Sequence, residues 1–404
     1  MPIMTGLSGN EMFCLNLKGY SPGELVIGNS VFSMGFAGAL GAIGRGLMGG
    51  EVTEITNIIH EGRIEAFNRM AREAQAHGGV GITGVTNELR TFHGHSEFLS
   101  VASTVHRGPA SRGEVIEFST SADGQELYCQ LDAGFSPVKF VFGNVAYSVG
   151  VAGGVMGKLK SLARGEIKEF SDVFNRTRHL ALDRILAEAR SAGADAVVGI
   201  ETRTVPFAGV HEMLMMGTAS RHPALAVRQP PQGNALPYEP GPSPSKQAAY
   251  PAQPVSSDLT NEEMWNVVHM GYMPLKLVLG TAVYSLGVIG GIKAMLRGFA
   301  RGEIPELTSL VYDAREHAIG LIRDEAGAIG ADDVVGIRTH ITEFGGLLEF
   351  LAIGTAVKRV EGLTTLSPSL PPQAIMKDKD TWIGEHATEI DRPGGAHAAT
   401  TGTR

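Results

Sequence analysis

Charged residues recur at matching places along this chain, and they are where chemistry would be sought. Adding 115 to a position near the N-terminus, and 137 to the result, gives three aligned copies of one pattern. In that register Glu51, Glu54 and Glu97 match Glu166, Glu169 and Glu212, and then Glu303, Glu306 and Glu349. Converging carboxylates are the donor set of a hard divalent cation, so these nine glutamates are the candidate metal ligands. Arg63, Arg178 and Arg315 also align. A guanidinium beside the carboxylates competes with a cation for them, so the same residues equally suit structural ion pairs. Soft heavy metals prefer thiolate and imidazole. No histidine recurs in all three copies: His93 and His95 align with Ala208 and Val210, and Cys14 and Cys129 align with Asn266.

Arg63 lies four residues after Ile59 and three before Ala66, which puts it on the apolar stripe of a helix that also carries Met70 and Ala74. A buried arginine needs a carboxylate partner. The expected partner is a glutamate of the GE-x-x-E segment or of the last strand. Such a pair would fix the helix on its sheet or lock one repeat against the next. Two further sets, Glu11/Glu126/Glu263 and Glu73/Glu188/Glu325, are accounted for by helix capping and by a solvated helix edge.

The elements that must position these groups follow from the repeat. Ser8, Asp123 and Thr260 stand three residues before Glu11, Glu126 and Glu263, the spacing of a capping box opening a short helix that ends at Gly19, Gly134 and Gly271. An apolar strand follows, LVIGNSVFSMG in the first copy, then a glycine-rich segment. A long helix is expected from N-caps at Thr56, Ser171 and Thr308 to Gly78, Gly193 and Gly330. Two strands joined near Gly94, Gly209 or Gly346 complete the unit. The fold class is therefore α+β: three tandem β-α-β-β domains, each a three-stranded, mostly antiparallel sheet packed by one long helix and preceded by a short one. One sheet face per unit stays uncovered and must find another repeat or subunit.

The expected domains are 7–106, 122–221 and 259–361, with a Pro-rich linker at 222–258 and a disordered tail at 362–404. The chain has 404 residues, 43% of them hydrophobic, and a formal charge of -8 with no basic block, so nucleic acid is not an expected partner. Two cysteines and the absence of a signal-like N-terminus point to a reducing cytoplasm. The uncharged run from Leu25 to Gly44 has the length of a membrane span, but its glycines and serines fit a buried strand and bend better. No P-loop, HExxH or nucleophile elbow is present, and GAIGRGLMGG lacks a dinucleotide context, so no enzyme and no catalytic residue is expected.

The ordered landmarks, above all SAGADAVVGIETR with EMLMMGTAS and IGADDVVGIR with EFLAIGTAV, resemble the YbjQ-like family, often labelled heavy-metal-binding. The first copy departs from them with HGGVGITGV and ASTV. The resemblance implies a dodecin-like unit, ring-forming relatives and binding of a divalent metal ion or small ligand as the leading function. The competing readings are a scaffold whose repeats self-associate through their sheet faces without a ligand, and peripheral attachment to a membrane through the basic segments 158–164 and 297–301.

Overall fold

The computed structural model describes residues 2–33, 50–92, 95–108, 115–148, 165–207, 210–225, 253–285, 305–344 and 347–376. Within them the chain is mixed α+β and repeats one unit of sheet plus helix three times. The first unit holds α1 (Gly9–Leu17), β1 (Tyr20–Ser33), β2 (Gly50–Glu51), α2 (Thr53–Ala76), β3 (Gly81–Phe92) and β4 (His95–Arg107). The second holds β5 (Phe118–Ser119), α3 (Gly124–Asp132), β6 (Ser136–Ser148), β7 (Gly165–Glu166), α4 (Lys168–Ser191), β8 (Ala196–Phe207) and β9 (Val210–Arg221). The third holds β10 (Val255–Ser256), α5 (Asn261–His269), β11 (Tyr272–Ser285), α6 (Pro305–Ala328), β12 (Asp333–Phe344) and β13 (Leu347–Arg359), and α7 (Pro372–Ile375) follows.

In each unit the last strand is central and antiparallel to both long neighbours, as in the order β1-β4-β3. The short helices begin as their sequence requires: Ser8, Asp123 and Thr260 each accept from the third helical amide, and Glu11, Glu126 and Glu263 reach back to the cap. Gly19, Gly134 and Gly271 follow these helices with φ of 80°, 89° and 84°, a left-handed turn that a side chain would strain. The long helix lies on the first strand at Gly28, Gly143 and Gly280, where an added Cβ would come within 2.1, 2.1 and 2.4 Å of the carbonyl oxygens of Ala66, Ala181 and Ala318. Only a glycine permits that approach.

The repeats interlock rather than follow one another as beads. The long helices of the first two repeats each pack on their own sheet and also on the first strand of the next repeat, so Val26 and Met70 share an apolar cluster with Phe140 and Phe142. In the same way Leu182 and Ile185 share one with Leu277 and Leu279. The free sheet faces of the second and third repeats are thereby covered. Short strands tie the seams: β2 adds to β6 and β7 adds to β11, while β5 and β10, which lead into the second and third repeats, run parallel to β3 and β8 of the repeat before.

Three expectations change. The long helices start at Thr53 and Lys168, after Val52 and Ile167, and neither has a side-chain cap. Thr56 and Ser171 lie one turn inside, and their hydroxyls accept from the amides of Ala146 and Val283 in the next repeat at 2.9 Å each. The stretch expected as linker ends in strand β10, because its backbone completes the edge of β8. The tail begins with ordered chain: Asn10 and Gln125 donate to backbone carbonyls in and just after α7, which holds it against α1 and α3. The run from Leu25 begins as strand β1, and among the described residues no helix is long and apolar enough to cross a membrane. The glycine-rich and basic segments, Glu303 and His93 lie outside the described residues.

Candidate functional site: the charged joints between repeats

Arg63 leaves the buried stripe of α2 and meets Glu212 on β9, the central strand of the second repeat. Its Nε and Nη2 donate to the two carboxylate oxygens at 3.0 and 2.6 Å, and Nη1 donates to the carbonyl and the side-chain oxygen of Asn87. Every nitrogen of the guanidinium is satisfied, and both charged side chains are shut off from solvent. The bidentate fork is what makes such a burial tolerable.

The equivalent joint between the second and third repeats places Arg178 of α4 2.6 Å from Glu349 of β13. Here Nη2 donates to the Tyr147 hydroxyl at 3.0 Å, and the ring faces of Tyr147 and Phe174 lie under the guanidinium. Nε and Nη1 have no hydrogen-bond partner, nor has the Thr202 hydroxyl. Thr202 occupies the position that Asn87 holds in the first repeat. Its shorter side chain does not reach the guanidinium. Burial pushes the Glu349 carboxyl up, and Arg178 opposes that shift.

The other candidate carboxylates disperse. Glu51 pairs with Arg184 at 2.8 Å, and Glu166 lies 3.6 Å from His317, in each case on the helix of the following repeat. Glu54 and Glu169 are exposed in the first turns of α2 and α4, where the helix dipole favours them. Glu306 stands in the first turn of α6. Glu97 is half-buried and accepts from the amide of Asn29 at 3.1 Å. Arg315 is exposed, and no ion pair or hydrogen bond engages it among the described residues, which include no repeat after the third to supply a glutamate. Among the described residues no group of three or more His, Cys, Asp or Glu side chains is placed to hold a metal ion. Cys14 and Cys129 are buried in an apolar cluster, and His95 is exposed.

Two roles escaped the sequence. The expected solvated edge at Glu73, Glu188 and Glu325 is a working contact, since each carboxylate accepts from an outward amide of the first strand, Ile27, Phe142 or Leu279. Its recurrence in three copies was the available signal. The other is Asp132, at the end of α3. It accepts from Lys18 of the first repeat at 2.6 Å, from the Trp265 indole of the third at 2.8 Å, and from the backbone and hydroxyl of Ser367 at 3.1 and 2.8 Å. Burial pushes its carboxyl up, but these donors outweigh it and hold the carboxyl below its ordinary range.

The family whose model describes YbjQ domains, "Putative heavy-metal-binding", matches residues 19–106, 136–222 and 270–360. A protein of Mycobacterium tuberculosis named "Encapsulin nanocompartment protein Rv1762c" is 35% identical over 227 residues, 53% of this chain and 84% of that protein. A "UPF0145 protein" of Archaeoglobus fulgidus is 39% identical over 82 residues, 20% of this chain and 76% of its own length. Another, of Thermotoga petrophila, is 38% identical over 80 residues, again 20% of this chain and 76% of its own. One repeat here thus corresponds to most of such a relative. With three matches spanning its three repeats, the chain belongs to the YbjQ family.

Proposed function

We propose that this protein is a non-enzymatic, self-associating structural protein, in which the recurrent Arg and Glu residues fasten repeats to one another rather than hold a metal. The observation that carries this reading is the same buried Arg–Glu pair at both internal joints, Arg63 with Glu212 and Arg178 with Glu349. A carboxylate already engaged by a buried guanidinium is a poor ligand, since binding a cation would require expelling the arginine into an apolar wall. Glu51 faces Arg184 and Glu166 faces His317 of the next repeat, so both carboxylates also have partners across the joints. The name of the Mycobacterium tuberculosis relative, a nanocompartment protein, supports an assembly role. The cytoplasmic placement expected from the cysteine content fits the same role.

Calorimetric titration of the full chain with zinc, copper, nickel and cadmium tests this. The expected result is no stoichiometric uptake at micromolar metal. Micromolar binding that Glu212→Gln or Glu349→Gln abolishes would replace the structural reading with the metal-binding one.

A further inference from the structure

The two internal joints are built from the same parts in the same direction, and each end of the chain carries half of that joint. From the structure we infer that the third repeat of one molecule docks on the first repeat of a second copy, so that chains associate head to tail. This rests on the structural reading above and adds the surfaces and the partner.

Three contacts define an internal joint. The helix arginine enters the following sheet to reach its glutamate, Arg63 to Glu212 and Arg178 to Glu349. A hydroxyl one turn into the helix, Thr56 or Ser171, accepts from a strand amide of the following repeat. The leader of the following repeat adds a parallel strand to the edge of the preceding sheet, with Phe118 opposite Gly81 and Val255 opposite Ala196.

In the third repeat the preceding half of each contact is presented without a partner among the described residues. Arg315 and Thr308, the counterparts of Arg63 and Thr56, are both exposed on α6. On β12, Ile337 is 45% exposed, whereas its counterparts Val85 and Ile200 are each 3% exposed under the leader of the next repeat. At the head end the following half is presented. Ile27 and Val31 of β1 are 50% and 53% exposed, whereas their counterparts Phe142 and Ala146 are buried by the helix of the repeat before. Met4, the counterpart of the leader residue Ser119, is 74% exposed. Asn29 shows the same vacancy of partner in its hydrogen bonding. Its counterpart Asn144 donates to the Thr56 carbonyl of the preceding repeat, but Asn29 turns inward to Glu97.

The occupant is therefore specified. A helix face with one arginine and one hydroxyl must meet an apolar strand face with one glutamate, and it must accept a leader strand along its edge. A second copy of this chain supplies all three at the required spacing, with Arg315 entering to meet Glu97. The interface is heterologous, so it closes into a ring or continues as a filament according to the rotation per repeat.

The test uses the full chain, with mass measured by light scattering and sedimentation across micromolar concentrations. Wild type is expected at the mass of two or more chains. Arg315→Glu and Glu97→Arg should each weaken association by about a hundredfold, since each leaves a charge facing its like in a closed interface. An equimolar mixture of the two variants restores opposite charges at every seam and should recover assemblies containing both. Neither residue takes part in an internal joint, so each variant should keep the wild-type circular dichroism. Ile27→Asp, a substitution on the exposed head face, should dissociate the assembly independently. Wild-type assemblies unmoved by all three substitutions would overturn the head-to-tail joint while leaving self-association intact. A wild type that stays a single chain would overturn both.

Discussion

Arg63 and Glu212 lie 149 residues apart in the chain, yet their side chains meet in a two-pronged pair with oxygen distances of 3.0 and 2.6 Å and no exposure to solvent. Arg63→Ala leaves a buried carboxylate without a cation. The expected cost is about 3–5 kcal/mol, measured as a lowered urea midpoint of the full chain. Replacing both members, as in Arg63→Met with Glu212→Leu, should be milder than either single change, because an apolar pair leaves no charge stranded. Additive losses in the double variant would show that the two residues stabilise the fold separately.

The second joint is less well satisfied, and the cause is one residue. Asn87 takes a hydrogen bond from Arg63, whereas Thr202 leaves Arg178 Nη1 and its own hydroxyl without partners. Thr202→Asn installs the first joint's arrangement at the second. The expected outcome is a gain of about 1 kcal/mol in unfolding free energy. The same variant combined with Arg178→Met should lose that gain. A gain that survives without the arginine would place the effect elsewhere.

Repetition made much of this legible. Capping boxes recurring at Ser8, Asp123 and Thr260 reported three short helices, and an arginine in an apolar stripe reported a hidden carboxylate. Repetition also concealed the direction of pairing. Glu97 and Glu212 are equivalent positions, so a partner in the same repeat and one in the next give the same aligned pattern. Only the packing of α2 on β6 distinguishes them. Asp132 was invisible for the opposite reason. Its counterparts are Leu17 and His269, so keeping only recurring residues discards a carboxylate that touches all three repeats. The early part of the tail was missed similarly. Its backbone is ordered by contacts to α1, α3 and Asp132, not by any periodicity of its own.

Asp132 is therefore the position where the repeats and the tail are joined at once. Asp132→Asn keeps the shape but removes the charge that Lys18 and the Trp265 indole address, with an expected loss of about 2 kcal/mol. A carboxyl held below its ordinary range contributes stability that is present above the unfolded value and lost as pH falls through the folded one. Wild type and variant should therefore differ most near neutral pH and converge in acid. Urea midpoints at several pH values check this, and limited proteolysis should cut the variant sooner near Ser367. A constant difference at all pH values would detach the effect from the carboxylate's charge.

The joint between the second and third repeats also carries a titrating pair. His179 Nδ1 lies 2.9 Å from the Asn175 carbonyl, which only accepts, so that nitrogen carries a hydrogen. Nε2 faces Glu325 at 3.2 Å, and it offers a hydrogen there only when the ring is protonated. Lys276 lies 2.6 Å from the same carboxylate oxygen and is the other charge facing the pair. Burial pushes the His179 pKa down, but the hydrogen bonds to Glu325 and Asn175 outweigh it, and Lys276 opposes them only in part; the net shift is upward. For Glu325 burial pushes up, while His179 and Lys276 pull the carboxyl below its ordinary range. A raised histidine contributes fully below its unfolded pKa and is lost as pH rises through the folded one; a lowered carboxyl contributes above its unfolded pKa and is lost as pH falls through the folded one. The pair therefore contributes most between about pH 4.5 and 6.5. His179→Gln keeps a donor toward Glu325 without the charge, so its deficit relative to wild type should be largest near pH 6 and fade toward pH 8.5. Urea midpoints of the two proteins across that range decide it, and a deficit that grew with pH would mean that neutral His179 is the form that holds the joint.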